Sequence, residues 1–529
     1  MRLPPLPFRI ALLLVLALGW IQQSDAAPPL VPSPNAKFAP VPAGPPDRFQ
    51  PDPNIGPADP TDSLSGVAFL SSAKARRLGL RPDKLPPGPG IPGPQPQTLS
   101  DGSQYTLQVT NDAQQDTEPT DRTLTIGSTT YTTVASIKYL FTGPAPNQNR
   151  FRNYFATTTD FSTWTRGELP MPTGYTQSGD PLMDENSYTT GIAPLRKYVT
   201  GIIFQDYTGP TVVPNAIGVW HSDDGGMTWS QPTLAAVNTD QNFFLDKPAI
   251  NVSQWSGNNG TVFIAYMLVD LRPSNPSQLL VARSTDGGVT FSQPVLVTSG
   301  NIEGPQILTS PYGDKVYVLW ADYTLNAIRM STSTSSLLVW TAGETAATGS
   351  LVTPSTQYLN GGSGVRALTL PMARYNWVKN CVSVVWHEFE SSSSNQTDIF
   401  YVAKTASGWQ TKKRISPTTN DQFMPGFDFD SLGRFMVTFY DRSQDPNNLL
   451  YRESWARTDY FGNVLSSGVL AVPDSNPCYA ANPCQKPFIG DYQDSWWWNF
   501  SDQYGNRFNA VWTQQTSNTT GNIYVTGIQ

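Results

Sequence analysis

Seven short segments rich in β-branched and aromatic residues recur along this chain and confine it to one kind of architecture. They are Ser136–Gly143 (SIKYLFTG), Tyr198–Asp206 (YVTGIIFQD), Thr261–Asp270 (TVFIAYMLVD), Lys315–Asp322 (KVYVLWAD), Cys381–Glu390 (CVSVVWHEFE), Arg434–Asp441 (RFMVTFYD) and Arg507–Gln514 (RFNAVWTQ). Their length and near-continuous apolarity fit strands buried on both faces. Their midpoints fall roughly 50–70 residues apart, the spacing of propeller blades and not of solenoid turns.

A second apolar strand follows each segment, for example Ile217-Gly-Val-Trp-His and Leu280-Val-Ala-Arg. Another precedes it and often carries proline, as in Asp246-Lys-Pro-Ala-Ile, Glu303-Gly-Pro-Gln-Ile, Phe423-Met-Pro-Gly-Phe and Lys486-Pro-Phe-Ile-Gly. With an outer strand these make four-stranded blades, and a blade covers neither of its own faces, so neighbours must stack on it. The expected fold is all-β, a single seven-bladed β-propeller over residues 101–529, with six blades as the alternative count. The last repeat ends after its third strand, so Tyr105–Val109 (YTLQV) is expected to supply the outer strand and close the ring.

Composition agrees. The 41 glycines and 47 prolines suit turns and disfavour helices. Charged residues are 14%, and a net charge of -7 removes the basic excess that a nucleic-acid partner would require. Two histidines and three cysteines argue against a zinc site. Residues 1–26 read as a signal peptide: Arg2 and Arg9, the apolar run Ile10 to Trp20, then Ser24 and Ala26. No later run is apolar enough to be a membrane helix, so the mature chain is expected to be secreted, extracellular or periplasmic, and monomeric. Nearly half of the prolines lie before position 98, which makes residues 27–100 a Pro-rich extended or disordered linker. In an oxidising compartment Cys478 and Cys484 (CYAANPC) are expected to form a disulfide, two loop thiols being the alternative.

Two turns are more specific. Ser222, Asp224, Gly226, Thr228 and Trp229 fit S-x-D-x-G-x-T-[WF], as do Ser284, Asp286, Gly288, Thr290 and Phe291. In such a hairpin clip the Asp carboxylate and the hydroxyls can bond backbone N–H groups, glycine permits positive φ and the aromatic ring packs back on the sheets. The motif resembles the Asp-box, or BNR repeat, of sialidase-like propellers. Phe439-Tyr-Asp-Arg-Ser-Gln-Asp-Pro-Asn and Phe488-Ile-Gly-Asp-Tyr are similar to segments of exported bacterial BNR-repeat proteins. A six-bladed sialidase propeller is the alternative this resemblance carries.

Propeller ligands usually meet one mouth of the channel, which directs attention to the first strand of each repeat and the segments after the second. Polar candidates there are Asp184, Glu185, Asp246, Lys247, Arg272, Glu303, Arg366, Arg374, Asp421, Asp441, Arg442, Asp491 and Tyr492. The resemblance implies a Tyr nucleophile helped by Glu, an acidic proton donor and an arginine clamp for a substrate carboxylate. On this sequence Tyr492 resembles the nucleophile, a Tyr packed beside the channel being the competing reading; Glu388, with Glu390 on the same strand face, or Glu303 would be its helper, Asp441 or Asp246 the acid, and Arg272, Arg366 and Arg442 the clamp, with Asp491 beside them. Trp496 and Trp498 are candidates for sugar stacking, with inter-blade packing as the competing reading. No R-I-P segment follows the signal, so the first family arginine is missing. The expectation is a secreted sialidase-like glycoside hydrolase acting on extracellular glycan; the alternatives are a polysaccharide lyase and a non-catalytic glycan- or protein-binding propeller. No cofactor is expected, a structural calcium being left open.

Overall fold

The computed structural model describes residues 97–98, 104–110, 115–141, 149–187, 194–205, 214–254, 260–272, 275–357, 359, 365–392, 394–416, 419–470, 475, 489–498, 507–515 and 521–528. The expected signal segment, almost all of the expected linker and both Cys478 and Cys484, with the disulfide expected between them, lie outside these residues. Among the described residues there is no helix, hence none long and apolar enough to cross a membrane.

Seven antiparallel blades follow one another. Blade 1 is Gln115–Ile126, Thr129–Phe141, Asn149–Thr158 and Thr165–Glu168. Blade 2 is Gln177–Asn186, Arg196–Phe204, Asn215–Ser222 and Thr233–Asn238, and blade 3 is Phe243–Val252, Val262–Asp270, Ser277–Ser284 and Val295–Gly300. Blade 4 is Ile302–Thr309, Lys315–Asp322, Ala327–Thr334 and Glu344–Thr348. Blade 5 has Met372–Asn376, Cys381–Phe389 and Thr397–Thr405, with the short pieces Gly408–Trp409 and Lys413–Arg414 outside. Blade 6 is Gln422–Phe429, Phe435–Asp441, Arg452–Thr458 and Val464–Val469. Blade 7 is Asp494–Trp498, Arg507–Gln515 and Gly521–Ile528, completed by Gln104–Gln108 from the other end of the chain. The seven recurring segments are thus the second strands, and the count is seven. The seventh first strand begins at Asp494, so the tryptophan run is itself that strand, and Lys486, Pro487 and Phe488 of the Pro-bearing segment lie outside the described residues.

Each interface is filled by apolar side chains from both neighbours. Trp220 and Phe155 meet between blades 1 and 2, Tyr198 and Ile264 between 2 and 3, and Phe263 and Val318 between 3 and 4. Leu319 and Trp386 fill the next interface, then Tyr401 and Phe427, then Tyr440 and Phe508, and Val134 and Val511 close the circle. Each fully buried large side chain is worth about 1.5–3 kcal/mol, and that is the sheltering a lone blade lacks.

The two S-x-D-x-G-x-T-[WF] segments lie between third and fourth strands and have the same bonds. Gly226 N donates to Ser222 Oγ (2.7 Å), while Thr228 N (2.9 Å) and Thr228 Oγ1 (2.6 Å) donate to Asp224. Gly288 N to Ser284 Oγ (2.8 Å) and Thr290 to Asp286 (2.9 and 2.5 Å) repeat the arrangement. The first turn also reaches the preceding blade, where Thr133 and Thr157 donate to the carbonyls of Gly225 and Gly226. Gly225 has φ +80°, and a Cβ there would run into the Tyr131 ring. Gly225→Ala is expected to cost about 2–4 kcal/mol from backbone strain plus overpacking. Urea unfolding should show a lower midpoint at unchanged slope, and an unaltered midpoint would mean the turn does not clip the blades together.

One irregularity positions the channel side chains. In five first strands a proline follows a residue of positive φ: Glu118 (54°), Asp180 (50°), Lys247 (44°), Gly304 (62°) and Met424 (50°). The register with the second strand slips at each of these places. Proline has no N–H for the ladder and is tolerated at such bulges, and a bulge re-aims the side chains beside it. Holding a non-glycine residue there costs on the order of 1–3 kcal/mol, so the surrounding packing must enforce it.

Candidate functional site

The bulges bring a set of buried charges together. Lys247 Nζ lies 2.8 Å from Asp491, 3.2 Å from Asp180 and 4.0 Å from Glu118, so blades 1, 2 and 3 and the segment entering blade 7 meet on one ammonium. Arg366 grips Asp491 through both oxygens (2.6 and 2.5 Å). Burial would lower the Lys247 pKa, but the carboxylates of Asp180, Asp491 and Glu118 push it well above the usual value. Burial works the other way on Asp491, yet Arg366 and Lys247 hold its carboxyl well below the usual range. Only a cavity of about 30 Å³ remains here, lined in part by Lys247, Asp491, Tyr492 and His387. It has room for a water molecule and not for a sugar.

Toward the C-terminal ends of the first strands the channel opens into a cavity of about 410 Å³, to which all seven blades contribute. Arg122 Nη1 donates to Asp494 (2.8 Å), its Nε stands 3.6 Å from both Asp184 and Glu185, and its guanidinium lies 4.4 Å over the Trp496 ring. Arg374 pairs with the same Asp494. Although burial alone would raise Asp494, the guanidiniums of Arg374 and Arg122 keep it below the ordinary Asp range. Two cations therefore share one carboxylate, and three more carboxyls line the cavity.

Those three are held and tuned differently. Asp184 accepts from Val252 N (2.6 Å) and Asn251 Nδ2 (3.1 Å), and burial raises its pKa. Glu185 accepts from Ser187 Oγ (3.2 Å); burial, then the neighbouring Asp184, pushes it up to about 8. Asp428, on the far side of the ring of strands, accepts from Trp497 N (2.8 Å) and is raised to about 6 by burial. Burial thus raises Glu185 further than Asp428, while Asp494 in the same cavity is held down. Pairs of acids whose surroundings drive their pKa values apart are the usual raw material of acid–base chemistry. Trp496, Trp497, Tyr375 and Trp377 supply aromatic surface, and Asn251, Gln254 and Gln306 supply amides.

The sequence candidates fall in several places. Asp184, Glu185, Arg374 and Trp496 line the wide cavity, while the side chain of Trp498 lies outside the described residues. Tyr492 belongs to the narrow part of the channel: its phenol donates to Pro181 O (3.0 Å). Burial, with the carboxylates of Glu118, Asp180 and Asp491, raises its pKa well above 10, the opposite of what a nucleophile requires. Glu303 is in the same region, raised to about 7 by burial, and Asp246 accepts from Lys247 N (2.9 Å). Glu388 is not at the channel; it accepts from Trp386 Nε1 (2.9 Å) and pairs with Lys412. Asp441 accepts from Gln422, Ser443 and Ser454 within blade 6.

The arginine clamp does not assemble. Arg272 is half-exposed and paired with Asp270, Arg366 is bound to Asp491, and fully buried Arg442 is bound to Asp421. Each fork already holds its own carboxylate, so the three share no place where a substrate carboxylate could sit. Among the described residues no group of three or more His, Cys, Asp or Glu side chains is arranged to hold a metal ion.

Arg122, Asp428, Asp494, Tyr375 and Trp377 are site residues that motif reasoning overlooks, and a signal for two of them was available. The third residue after the proline in or just before each of the first six first strands is Arg122, Asp184, Asn251, Leu308, Arg374 or Asp428. All six line the wide cavity. A fixed offset from a fixed bulge delivers the same inward face in each blade.

No family model matches this chain, and no curated relative does. Among solved structures it is similar to a Hadza microbial sialidase (16% identity, TM-score 0.39), covering 66% of this chain and 65% of that one. It is also similar to an ulvan lyase (11%, TM-score 0.45), over 78% of this chain and 94% of the lyase. A third likeness is the α-L-arabinofuranosidase of Fusarium graminearum (12%, TM-score 0.39), over 67% and 93%. The chain spans just under two thirds of the sialidase's length. These are distant likenesses, and the functional reading rests on this chain's own residues.

Proposed function

We propose that the wide cavity binds an uncharged glycan and that the protein cleaves it as a glycoside hydrolase. The observation that carries this reading is that Glu185, raised to about 8, and Asp428, raised to about 6, line one tryptophan-lined cavity from different blades. Glu185 gives its proton to the glycosidic oxygen as the bond to the leaving sugar breaks, and Asp428 takes a proton from the water that attacks the other face. An anionic sugar is disfavoured, because both guanidiniums are already spent on Asp494 while Asp184 and Asp428 face the ligand. In the same reading the protein is an exported monomer, its two clipped turns are Asp-boxes of a sialidase-like lineage, and Tyr492 has no catalytic part.

Release of reducing ends from neutral polysaccharides tests it. Glu185→Gln should lower kcat about 10²–10⁴-fold while leaving binding intact. Activity should rise as pH passes about 6, where Asp428 ionises, and fall as it passes about 8, where Glu185 loses its proton. Stability carries the same signature. A raised carboxyl stabilises the fold below its unfolded pKa and loses that contribution as pH rises through the folded value, so wild type should weaken up to about pH 8 and Glu185→Gln less so. Release unaffected in Glu185→Gln would remove the acid. A second reading, glycan binding without cleavage, is favoured by the backbone bonds that tie down Asp184 and Asp428. It predicts binding by wild type with no release.

A further inference from the structure

The rim of the wide cavity is uneven. Turns joining first to second strands in blades 4, 5 and 6 each present one large apolar side chain to solvent: Tyr312 (73% exposed), Trp377 (54%) and Leu432 (60%). Trp377 itself lines the cavity, and the other two stand next to the lining residues Pro311 and Ser431. Nothing in the turn geometry calls for these side chains. Gly313 N donates to Ser310 O (2.9 Å), Lys379 N to Asn376 Oδ1 (3.0 Å), and Leu432 N and Arg434 N to Asp430 Oδ1 (both 2.9 Å). The polar residues and glycines hold the turns, and any side chain could occupy the exposed position.

The three turns are also tied to one another. The Tyr317 and Tyr375 rings lie 5.8 Å apart across blades 4 and 5. Asn376 Nδ2 donates to Gly433 O (2.9 Å) across blades 5 and 6. The exposed surface is therefore braced and continuous with the cavity, its apolar side chains sharing the turns with exposed Asp314, Lys315 and Lys379. Flat aromatic rings with a wet edge suit sugar rings, which offer apolar C–H faces and polar rims. Exposed apolar side chains grouped beside a cavity mark a binding surface more often than scattered ones do.

Resting on the glycan reading of the cavity, we propose that the ligand is a polysaccharide whose uncharged chain leaves the cavity over blades 4 to 6 and lies on Trp377 and Tyr312. Trp377 stands at the junction and Tyr312 serves only sugars outside the cavity, with Leu432 flanking the path.

Calorimetric titration of the full chain with cellulose-, xylan- and mannan-derived ladders, from disaccharide to octasaccharide, tests this. For the series that binds, affinity measured in the Glu185→Gln background, where the ligand is not consumed, should rise about tenfold or more with length. Tyr312→Ala in the same background should abolish most of that gain while leaving the shortest bound ligand within roughly twofold in Kd. Trp377→Ala should weaken short and long ligands alike. Affinity independent of length, or a gain that survives in Tyr312→Ala, overturns the outer path while leaving the cavity reading standing. No binding at any length overturns both. Light scattering supplies a further arm: a wild-type dimer that Tyr312→Ala dissociates would make the rim a contact between copies of the chain and overturn the proposal.

Discussion

A chain lacking residues 1–110 should melt more than about 10 °C below one that begins at residue 97, and much of it should aggregate. The missing piece is the outer strand of blade 7. Gln104 to Gln108 pair with Ile528 to Tyr524, and Val109 N donates to Ile523 O (2.8 Å). Val109 is fully buried with Val134 and Ala156 of blade 1 and Val511, Ile523 and Val525 of blade 7. Losing it removes about 1.5–3 kcal/mol of burial, before any of the hydrogen bonds is counted. Those bonds are worth about 0.5–1.5 kcal/mol each, and for a domain this large each kcal/mol moves Tm by about 2–4 °C. The damage is also topological, because Gly521–Ile528, buried along its whole length, becomes an open edge that another chain can pair with. A synthetic peptide of residues 97–110 should restore part of the lost Tm in a concentration-dependent way. A truncated chain that melts like the longer one would show that the ring closes without this strand.

That strand was legible in the sequence because a count was one strand short: seven second strands, six complete blades and a remaining apolar run near residue 105. The number of blades was legible for a related reason, since second strands are buried on both faces and their apolarity is continuous. The functional mouth was harder. Family likeness directs attention to Tyr492 and three arginines, but a side chain's role depends on what it meets across the channel, and those partners are more than a hundred residues away. Arg366 and Asp491 are an example, as are Arg122 and Asp494. Spacing along the chain does not report such meetings. The offset of three from the bulge proline does, because the bulge fixes which face of the first strand turns inward. Asp494 had no such marker, since blade 7 carries no proline in its first strand.

Lys247→Met should be the most damaging single change in the channel, costing about 3–5 kcal/mol at neutral pH. Among the described residues the lysine is the one cation given an ion pair with Asp180 and Glu118, and it shares Asp491 with Arg366. Methionine fills the same space but leaves buried carboxylates facing one another without the ammonium. Breaking a buried pair is worse than never having built one, since the orphaned charge keeps its desolvation cost. Burial already raises the pKa of Glu118 well above, and that of Asp180 above, the ordinary values, with Lys247 among the groups that lower them. Without the lysine both should rise further. Carboxyls raised in the folded state stabilise it below their unfolded pKa and lose that contribution as pH climbs through the folded pKa. The deficit of Lys247→Met should therefore be smaller near pH 4 than near pH 8, where the unfolded chain's carboxyls are ionised and the folded ones must hold a proton or stand charged without the ammonium. Asp180→Asn on the Lys247→Met background should recover part of the loss, and the same substitution in wild type should not stabilise comparably. The double-mutant cycle then reports the coupling between the two side chains. Equal stability of Lys247→Met and wild type at pH 8, by urea midpoint, would mean that the cluster is hydrated and that the ammonium does not hold the blades at the axis.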